Sequence, residues 1–163
     1  MKRFLELFKD CLRDVQEIMP WDLEERLEEN SSLLVVDVRE PEEFQAMHIQ
    51  GSLLVPRGIL ESACEYDYEE TEPELVEARE REIVVVCRSG YRSVLAAHSL
   101  LVLGYEHVAS LQTGLRGWND YEQPMVDAHE NTVDVEVADD YFFAKLREDQ
   151  IDPARRQARQ KMA

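Results

Sequence analysis

Six consecutive residues near the middle of the chain, from Cys87 to Arg92, carry side chains suited to nucleophilic chemistry. Arg88 and Arg92 bring two fixed positive charges, and Gly90 can adopt backbone angles that turn the amides of a tight loop inward. A cysteine in such a cradle is favoured as its thiolate, which is the nucleophilic form of the side chain. The residue types and their spacing therefore predict a nucleophilic Cys87 in a loop that holds an anion.

The elements that position this loop lie directly before and after it. Residues 83–86 form a β-branched apolar run without polar alternation, which is typical of a strand buried on both faces of a sheet. After the loop, Ser93 is a candidate N-cap, residues 94–102 have helical apolar spacing, and Gly104 is placed to end the helix. Cys87 is therefore expected between a strand end and a helix start, whose free amides also favour an anion.

Four apolar runs are typical of strands, and segments with helical spacing separate them. The runs are residues 33–36, 53–55, 83–86 and 108–111, and the helical patterns fall at 4–18, 21–29, 41–48, 73–78, 94–102 and 115–118. Strands that alternate with helices predict an α/β fold with a mostly parallel sheet. Ligands of such sheets bind at the edge formed by the carboxyl ends of the strands, where Cys87 is expected.

Charged residues follow two of these runs at the same edge. Asp37 and Arg39 come directly after the first run, and they are predicted to form an ion pair or to bind loop amides and so brace a neighbouring loop. Arg57 follows the second run and is a candidate source of positive potential near Cys87. A solvated surface arginine is an equally good interpretation of Arg57.

Residues 20–124 are predicted to form a single α/β domain that carries an extra segment at each end. Residues 1–19 are predicted to form an amphipathic helix that Pro20 ends, because apolar residues recur at helical spacing between charged ones. The apolar face of this helix is expected to be buried against the domain or against a partner subunit.

The C-terminal extension, residues 125–163, differs from the domain in its pattern of apolar and polar residues. Valines at 133, 135 and 137 alternate with polar residues, which indicates an edge strand or an extended tail. Asp139 is a candidate cap of a helix that begins near Tyr141. The aromatic residues of this extension predict that it docks on the domain or on a second subunit, so the terminal helices are candidates for a homodimer interface.

Composition excludes several classes of function. The formal net charge of −17 argues against binding to nucleic acid or to anionic lipid. The three cysteines lie far apart with no CxxC pair, so neither a disulfide framework nor a metal site is predicted, and no cofactor is expected. No apolar run approaches the roughly 20 residues of a membrane span. The charged first residues lack the hydrophobic core of a signal peptide, so we expect a cytoplasmic protein.

Several motifs, taken in chain order, resemble those of a single-domain rhodanese. They lie at residues 34–39, 41–44, 48–52, 55–58, 87–93 and 111–118. The resemblance implies a rhodanese-like three-layer fold, in which a central, mostly parallel five-stranded sheet is flanked by helices. It also implies a sulfurtransferase, in which a cysteine takes sulfane sulfur from a donor such as thiosulfate and passes it to cyanide or to a thiol.

The resemblance assigns roles to particular residues of this chain. Cys87 is the nucleophile that becomes the persulfide. The residues expected to bind the substrate and the persulfide are Arg88, Ser89, Gly90, Tyr91, Arg92, Ser93 and, with positive charge from the neighbouring strand end, Arg57. Asp37 and Arg39 match a motif that is usually structural. A thiol carrier protein is a candidate partner.

The length of the loop separates two related chemistries. Cys87 to Arg92 spans six residues, whereas a phosphatase class of similar fold has one more residue between its cysteine and arginine. The longer loop makes a wider bowl that fits a tetrahedral phosphate or arsenate, and the shorter one fits a single sulfur atom on the cysteine. Sulfur transfer is therefore favoured over a cysteine-based phosphatase or arsenate reductase. A non-catalytic, partner-binding rhodanese-like module is a further alternative, and the donor, the acceptor and the pathway stay open.

Overall fold

The structure, a computed structural model, describes residues 1–162. Its helices are α1 (Phe4–Leu12), α2 (Pro20–Glu29), α3 (Pro41–Ala46), α4 (Leu60–Ala63), α5 (Pro73–Val76), α6 (Tyr91–Val102), α7 (Gly114–Asp120), α8 (Val135–Phe142) and α9 (Pro153–Met162). Its strands are β1 (Gln16–Ile18), β2 (Leu34–Asp37), β3 (Leu53–Leu54), β4 (Glu82–Val86) and β5 (His107–Leu111). Residue 163, the last of the predicted C-terminal extension, lies outside the described residues.

The five strands form one sheet in the order β1-β5-β4-β2-β3, and every pairing in it is parallel. The sequence-based expectation of an α/β fold with a five-stranded parallel sheet is confirmed. Strand β4 is central and all but its first residue are buried, as its uninterrupted β-branched run predicts. Cys87 follows β4 directly, so it lies at the carboxyl edge of the sheet, between the ends of β5 and β2.

The core has two apolar layers, one on each face of the sheet. Alternate residues of β4 supply them, with Ile83 and Val85 in one layer and Val84 and Val86 in the other. The first layer is completed by α4, α5 and α6, with α1 packed over it, and the second by α2, α7 and α8. Helices therefore cover both faces of the sheet, which gives the three layers expected.

The amino-terminal segment differs from the single long helix that its apolar spacing predicts. Helix α1 ends at Leu12, and Gln16–Ile18 forms strand β1, which pairs with β5 at the edge of the sheet. Val15 and Ile18 are buried in both interpretations, because they lie three positions apart in the sequence and either a helix or a turn followed by a strand can bury such a pair. The predicted helix over residues 13–18 is therefore wrong.

The carboxyl-terminal segment is also helical where an edge strand or extended tail is predicted. The Asp134 side chain accepts a hydrogen bond from the Glu136 amide (2.8 Å) and caps α8, which begins at Val135 rather than near Tyr141. Ala138 and Phe142, four residues apart, are buried against α7 and the second core layer. The prediction that this extension docks on the domain is confirmed for α8.

Within residues 1–162, no helix is long and apolar enough to cross a membrane.

Candidate active site

Backbone amides surround the sulfur of Cys87. The Gly90 amide donates to Sγ at 3.1 Å, and the Ser93 amide donates to it at 3.3 Å. The thiol itself donates to Ser93 Oγ at 3.3 Å. Two convergent amide donors stabilise negative charge on a sulfur atom, which is the arrangement that the loop sequence predicts. The residue is only 1% exposed, so the loop shields this sulfur from water on most sides.

Helix α6 begins three residues earlier than the sequence predicts. Gly90 is the N-cap and has φ 93°, in the left-handed region that favours glycine, so Ser93 as the N-cap is wrong. Because the helix already includes Tyr91 and Arg92, Ser93 lies in its first turn with its side chain fully buried and turned towards the sulfur. Because Gly90 in its left-handed conformation is the N-cap, Ser93 lies within the helix and beside the nucleophile rather than at the cap position.

Ser110 supports this serine from the adjacent strand. Its hydroxyl donates to Ser93 Oγ at 2.8 Å, and both side chains are fully buried. With one hydrogen bond already received from Ser110, the Ser93 hydroxyl can turn its own proton towards Sγ when the sulfur is an anion. Ser110 lies on β5, seventeen residues beyond Ser93, and nothing in the local sequence pattern indicates that the two meet.

Arg92 is held by a carboxylate that the sequence does not single out. Its Nη1 and Nη2 atoms donate to Glu43 Oε2 and Oε1, both at 2.8 Å, in a bidentate pair. Burial opposes ionisation of Glu43, but the Arg92 hydrogen bonds and the Glu40 amide outweigh it, so the pKa of this carboxyl is lowered. Glu43 is on α3, where it also completes the first turn by accepting from that amide (3.0 Å).

We expect the Glu43→Gln variant to be less stable by about 1–2 kcal/mol at neutral pH, because the bidentate pair is charge-assisted and only partly exposed. A carboxyl whose pKa is lowered on folding stabilises the protein above its unfolded pKa, and this contribution is lost as the pH falls through the folded value. The difference between the variant and the parent is therefore expected to shrink below about pH 4. Urea unfolding at pH 7 and at lower pH measures it.

The matched control is Glu42→Gln on the same helix, because Glu42 is exposed and lies one position from Glu43. It is expected to change stability by less than about 0.5 kcal/mol at either pH. An equal effect of the two variants, or an effect of Glu43→Gln that does not depend on pH, would contradict the role given to the Arg92 pair.

The other two arginines of the predicted site are bound away from the sulfur. Arg88 Nη2 donates to the carbonyl oxygens of Phe142 (2.9 Å) and Phe143 (3.4 Å), so its guanidinium binds the carboxyl end of α8. Arg57 pairs with Glu61 at 3.1 Å. The structure therefore brings Gly90 and Ser93 to Cys87, and it turns the guanidiniums of Arg88 and Arg57 towards other partners. The roles predicted for these residues in binding substrate stay predictions.

Asp37 and Arg39 form a fully buried ion pair where β2 ends. Arg39 Nη2 donates to Asp37 Oδ2 (2.8 Å) and to the Met47 carbonyl (2.7 Å), and the Arg39 amide donates to Asp37 Oδ1 (3.0 Å). Both alternatives offered by the sequence, an ion pair and a bond to a loop amide, are therefore present. The pair fixes the chain on both sides of α3, and α3 carries Glu43 to Arg92.

Helix α7 fixes the backbone of the loop from below. The amides of Leu115 and Arg116 donate to the carbonyl oxygens of Cys87 (2.8 Å) and Arg88 (3.0 Å). Gly114, with φ 61°, permits this approach, because a Cβ there would lie 2.5 Å from the Cys87 carbonyl oxygen. The start of α7 is thus packed against the carbonyl side of the loop, and the amides of Gly90 and Ser93 are left to face the sulfur.

A groove of about 340 Å³ borders the loop on the side of α1. Its lining includes Phe8, Leu12, Glu17, Ser89, Gly90 and Tyr91. The ring of Tyr91 packs against Phe8, with ring centroids 4.9 Å apart, so the first helix forms one wall of the groove. Burial raises the pKa of the Glu17 carboxyl. The amino-terminal segment therefore lines a groove beside the loop.

Comparison with known proteins gives consistent matches. The family model of the rhodanese-like domain matches residues 19–121. The chain is 30% identical over 112 residues to a sulfurtransferase of Allochromatium vinosum, a match that covers 69% of this chain and 95% of that protein. It is 31% identical over 105 residues to the putative sulfur carrier protein YrkF of Bacillus subtilis, and the match covers 64% of this chain and 51% of that one.

A solved structure matches as well. The crystal structure of a rhodanese-related protein from Thermoplasma volcanium has a TM-score of 0.55 at 27% identity, and the match covers 68% of this chain and 97% of that one. Two of the matched curated proteins are much longer than the matched region: the chain spans 51% of the length of one and 25% of the length of the other.

Proposed function

The chain belongs to the rhodanese-like domain family, and we propose that it is a sulfurtransferase that carries sulfane sulfur as a persulfide on Cys87. One observation carries this proposal above all: Sγ of Cys87 accepts hydrogen bonds from two backbone amides at the carboxyl edge of the sheet. The relatives named as a sulfurtransferase and as a putative sulfur carrier protein support sulfur transfer as the general activity.

The first half-reaction is attack by the Cys87 thiolate on the outer sulfur of a sulfane donor, thiosulfate or a related compound. A bond forms between Sγ and the outer sulfur, while the bond from that sulfur to the rest of the donor breaks. The electron pair of the broken bond leaves with the remainder of the donor, which is sulfite when the donor is thiosulfate. Amides of the loop then hold the anionic persulfide, as they would hold an oxyanion in acyl transfer.

In the second half-reaction an acceptor nucleophile, cyanide or a thiol, attacks the outer sulfur of the persulfide. Cys87 leaves as a thiolate, and the Gly90 and Ser93 amides receive the charge that returns to Sγ. The two half-reactions share one covalent intermediate, so ping-pong kinetics are expected. We propose a thiol carrier protein as the acceptor partner, and the substrates, pathway and partners of the whole protein are part of this proposal.

A parallel turnover assay separates sulfur transfer from its nearest chemical rival. The protein is incubated with a sulfane donor and cyanide or a thiol, and with a phosphate ester or arsenate in separate reactions. Sulfur transfer is expected, with phosphoester hydrolysis and arsenate reduction at background, because the loop has six residues from Cys87 to Arg92. Hydrolysis or reduction without sulfur transfer would support the cysteine-based phosphatase or arsenate reductase instead. Turnover of none of these substrates would leave the partner-binding module.

The proposed homodimer through the terminal helices depends on apolar side chains that one copy leaves exposed. Phe4, Leu5 and Leu7 of α1 are each about half exposed, and Phe143, just beyond α8, is 70% exposed. A second copy that covers these side chains would remove them from water. We place the protein in the cytoplasm and expect neither nucleic acid nor membrane as a partner, in line with its net charge of −17.

A further inference from the structure

Two large aromatic side chains lie exposed beside the carboxyl end of β1, apart from the cysteine loop. Trp21 is 48% exposed in the first turn of α2, and Tyr121 is 41% exposed directly after α7. Their ring centroids are 5.8 Å apart and the rings make an angle of 68°, so they form two walls of a corner. Exposed aromatic rings that face one another are typical of binding surfaces, because water gains nothing from covering them.

The corner opens into a pocket of about 240 Å³ between the start of α2 and the end of α7. Besides the two rings, the residues that line it are Met19, Pro20, Thr113, Gly117 and Asp120. Sites for small molecules usually have roughly 300–1,000 Å³, so this pocket is small for a whole ligand. Its size and its mostly apolar lining fit the stem of one long side chain.

Two carboxylates give the surroundings of this pocket a negative charge. Asp120 lines the pocket and is exposed, and Glu24, three positions after Trp21 on α2, lies beside Tyr121. Partial desolvation and then the charge of Glu24 raise the pKa of the Tyr121 hydroxyl. Among the ion pairs of residues 1–162, none includes either carboxylate. Both charges are therefore available to a cation that enters from outside.

A basic side chain satisfies the rings and the carboxylates together. The face of an aromatic ring, and of tryptophan above all, attracts a cation that lies within about 6 Å of its centroid. The methylene stem of lysine or arginine packs on apolar surface while its charged head stays among polar groups. The guanidinium of arginine can also stack on a ring and donate to a carboxylate at the same time.

We propose that this pocket receives a lysine or arginine side chain of a partner polypeptide, and that the partner anchored there is the thiol acceptor of the cysteine loop. The identity of the partner as acceptor rests on the proposed function. The formal charge of −17 favours a basic partner over an acidic one. The pocket itself is defined by its rings, its carboxylates and its size.

Helix α7 connects the pocket to the loop. Gly114, at the start of this helix, packs against the carbonyl oxygen of Cys87, and Asp120 lines the pocket six residues later. At 1.5 Å per residue, the two positions are about 9 Å apart along the helix. A polypeptide bound by its basic side chain can therefore bring a cysteine a few residues away to the loop. Its thiolate would form a bond to the outer sulfur of the persulfide, while the bond to Sγ breaks and leaves its electron pair on Cys87.

Two blocked peptides that differ at one position test the binding. Each contains a single cysteine, and a few residues from it one peptide has arginine and the other has citrulline, which keeps the shape of arginine without its charge. Fluorescence anisotropy of the labelled peptides is measured under reducing conditions. The arginine peptide is expected to bind at least about tenfold more tightly at low salt, with a smaller preference at high salt. Equal binding of the two peptides, or binding of neither, would overturn the inference.

Substitutions in the pocket test which groups produce the preference. Trp21→Ala is expected to reduce the preference for the arginine peptide to about twofold or less, whereas Trp21→Phe keeps an aromatic face and is expected to retain part of it. Asp120→Asn is expected to weaken the preference by a few fold. Asp120 is a surface residue, so this variant keeps the test decisive if Trp21→Ala does not fold. Folded variants at both positions that keep the full preference would overturn the inference.

The matched control is Tyr68→Ala. Tyr68 is also exposed (54%) and is followed by Glu69 and Glu70, but within residues 1–162 its ring packs against no second aromatic ring. The control is expected to keep the full preference for arginine. A loss equal to that of Trp21→Ala would mean that the general acidity of the surface attracts the peptide, which would overturn the role given to the pocket.

A transfer assay tests whether the anchored polypeptide is the acceptor. Protein that has been treated with a sulfane donor is mixed with the arginine peptide, with the citrulline peptide or with cyanide. The ratio of kcat/KM for the two peptides is expected to be at least about fivefold in the parent and close to one in Trp21→Ala. Transfer to cyanide together with equal transfer to both peptides would overturn the inference and leave the proposed function intact. No transfer to any of the three acceptors would contradict the proposed function itself.

Discussion

The Cys87→Ser variant is expected to lose at least about 1,000-fold in sulfur-transfer turnover, because it removes the nucleophile on which both half-reactions depend. A serine hydroxyl remains protonated near neutral pH, and it does not accept sulfane sulfur as a thiolate does. The serine oxygen is smaller than the sulfur and introduces no clash, and it is itself an acceptor for the Gly90 and Ser93 amides. The variant is therefore expected to fold, which urea unfolding checks alongside the assay.

Cys11→Ser is the matched control for this variant. Cys11 lies on α1, is partly exposed and is not hydrogen-bonded to the loop residues described above. The same chemical change there is expected to leave turnover within about twofold of the parent. Parent-level turnover in Cys87→Ser, or an equal loss in Cys11→Ser, would mean that Cys87 is not the sulfur carrier.

Gly114→Ala is expected to have the largest effect on stability, about 3–5 kcal/mol, and to reduce activity with it. The added Cβ would lie 2.5 Å from the Cys87 carbonyl oxygen and 2.6 Å from the Arg88 carbonyl carbon, so backbone rather than a flexible side chain must move. Overpacking of this kind and a left-handed alanine each cost of order 1–3 kcal/mol. The shift would also weaken the hydrogen bonds from the Leu115 and Arg116 amides that fix the loop.

Gly104→Ala is the control that separates the cost of an alanine at positive φ from the cost of the steric clash at Gly114. Gly104 also has a positive φ, 89°, but a Cβ there would meet no atom within 4 Å. Its alanine variant is expected to cost only about 1 kcal/mol and to retain activity. Urea unfolding of both variants measures the difference in their free energies of unfolding. Equal losses would contradict the expectation that the close approach of α7 to the loop makes Gly114→Ala the more destabilising change.

The parts of the fold that the sequence predicts are those whose pattern is contained in a short run of consecutive residues. Strand β4 follows from four consecutive β-branched or apolar residues, and α3 from Pro41 at its first position. Strand β1 has only three residues, and its one buried apolar residue, Ile18, also fits a helix together with Val15 just before the strand, so pairing with β5 decides its structure. Helix α8 likewise follows from the Asp134 cap and from packing on α7, which override the alternation of the valines.

The residues of the candidate site also fall into those that a local sequence pattern predicts and those that it does not. Cys87 and Gly90 are predictable because the strand, the loop and the helix that place them are contiguous in sequence. Glu43 and Ser110 are not, since they reach Arg92 and Ser93 across 49 and 17 residues and no local pattern marks such a meeting. Arg88 is the clearest case in which two kinds of partner compete for one side chain. Its guanidinium could bind an anion, but in the structure it donates to the carbonyl oxygens of Phe142 and Phe143, in a segment 54 residues away in the sequence.

Peptide mass spectrometry after donor treatment tests the central claim most directly, which is that Sγ of Cys87 carries the transferred sulfur. The protein is treated with cysteine persulfide or thiosulfate, digested without reductant, and mapped before and after addition of cyanide. One additional sulfur atom is expected on the peptide that contains Cys87, and cyanide is expected to remove it as thiocyanate. Added sulfur found on Cys11 or Cys64 instead, or no added sulfur with any donor, would contradict the account.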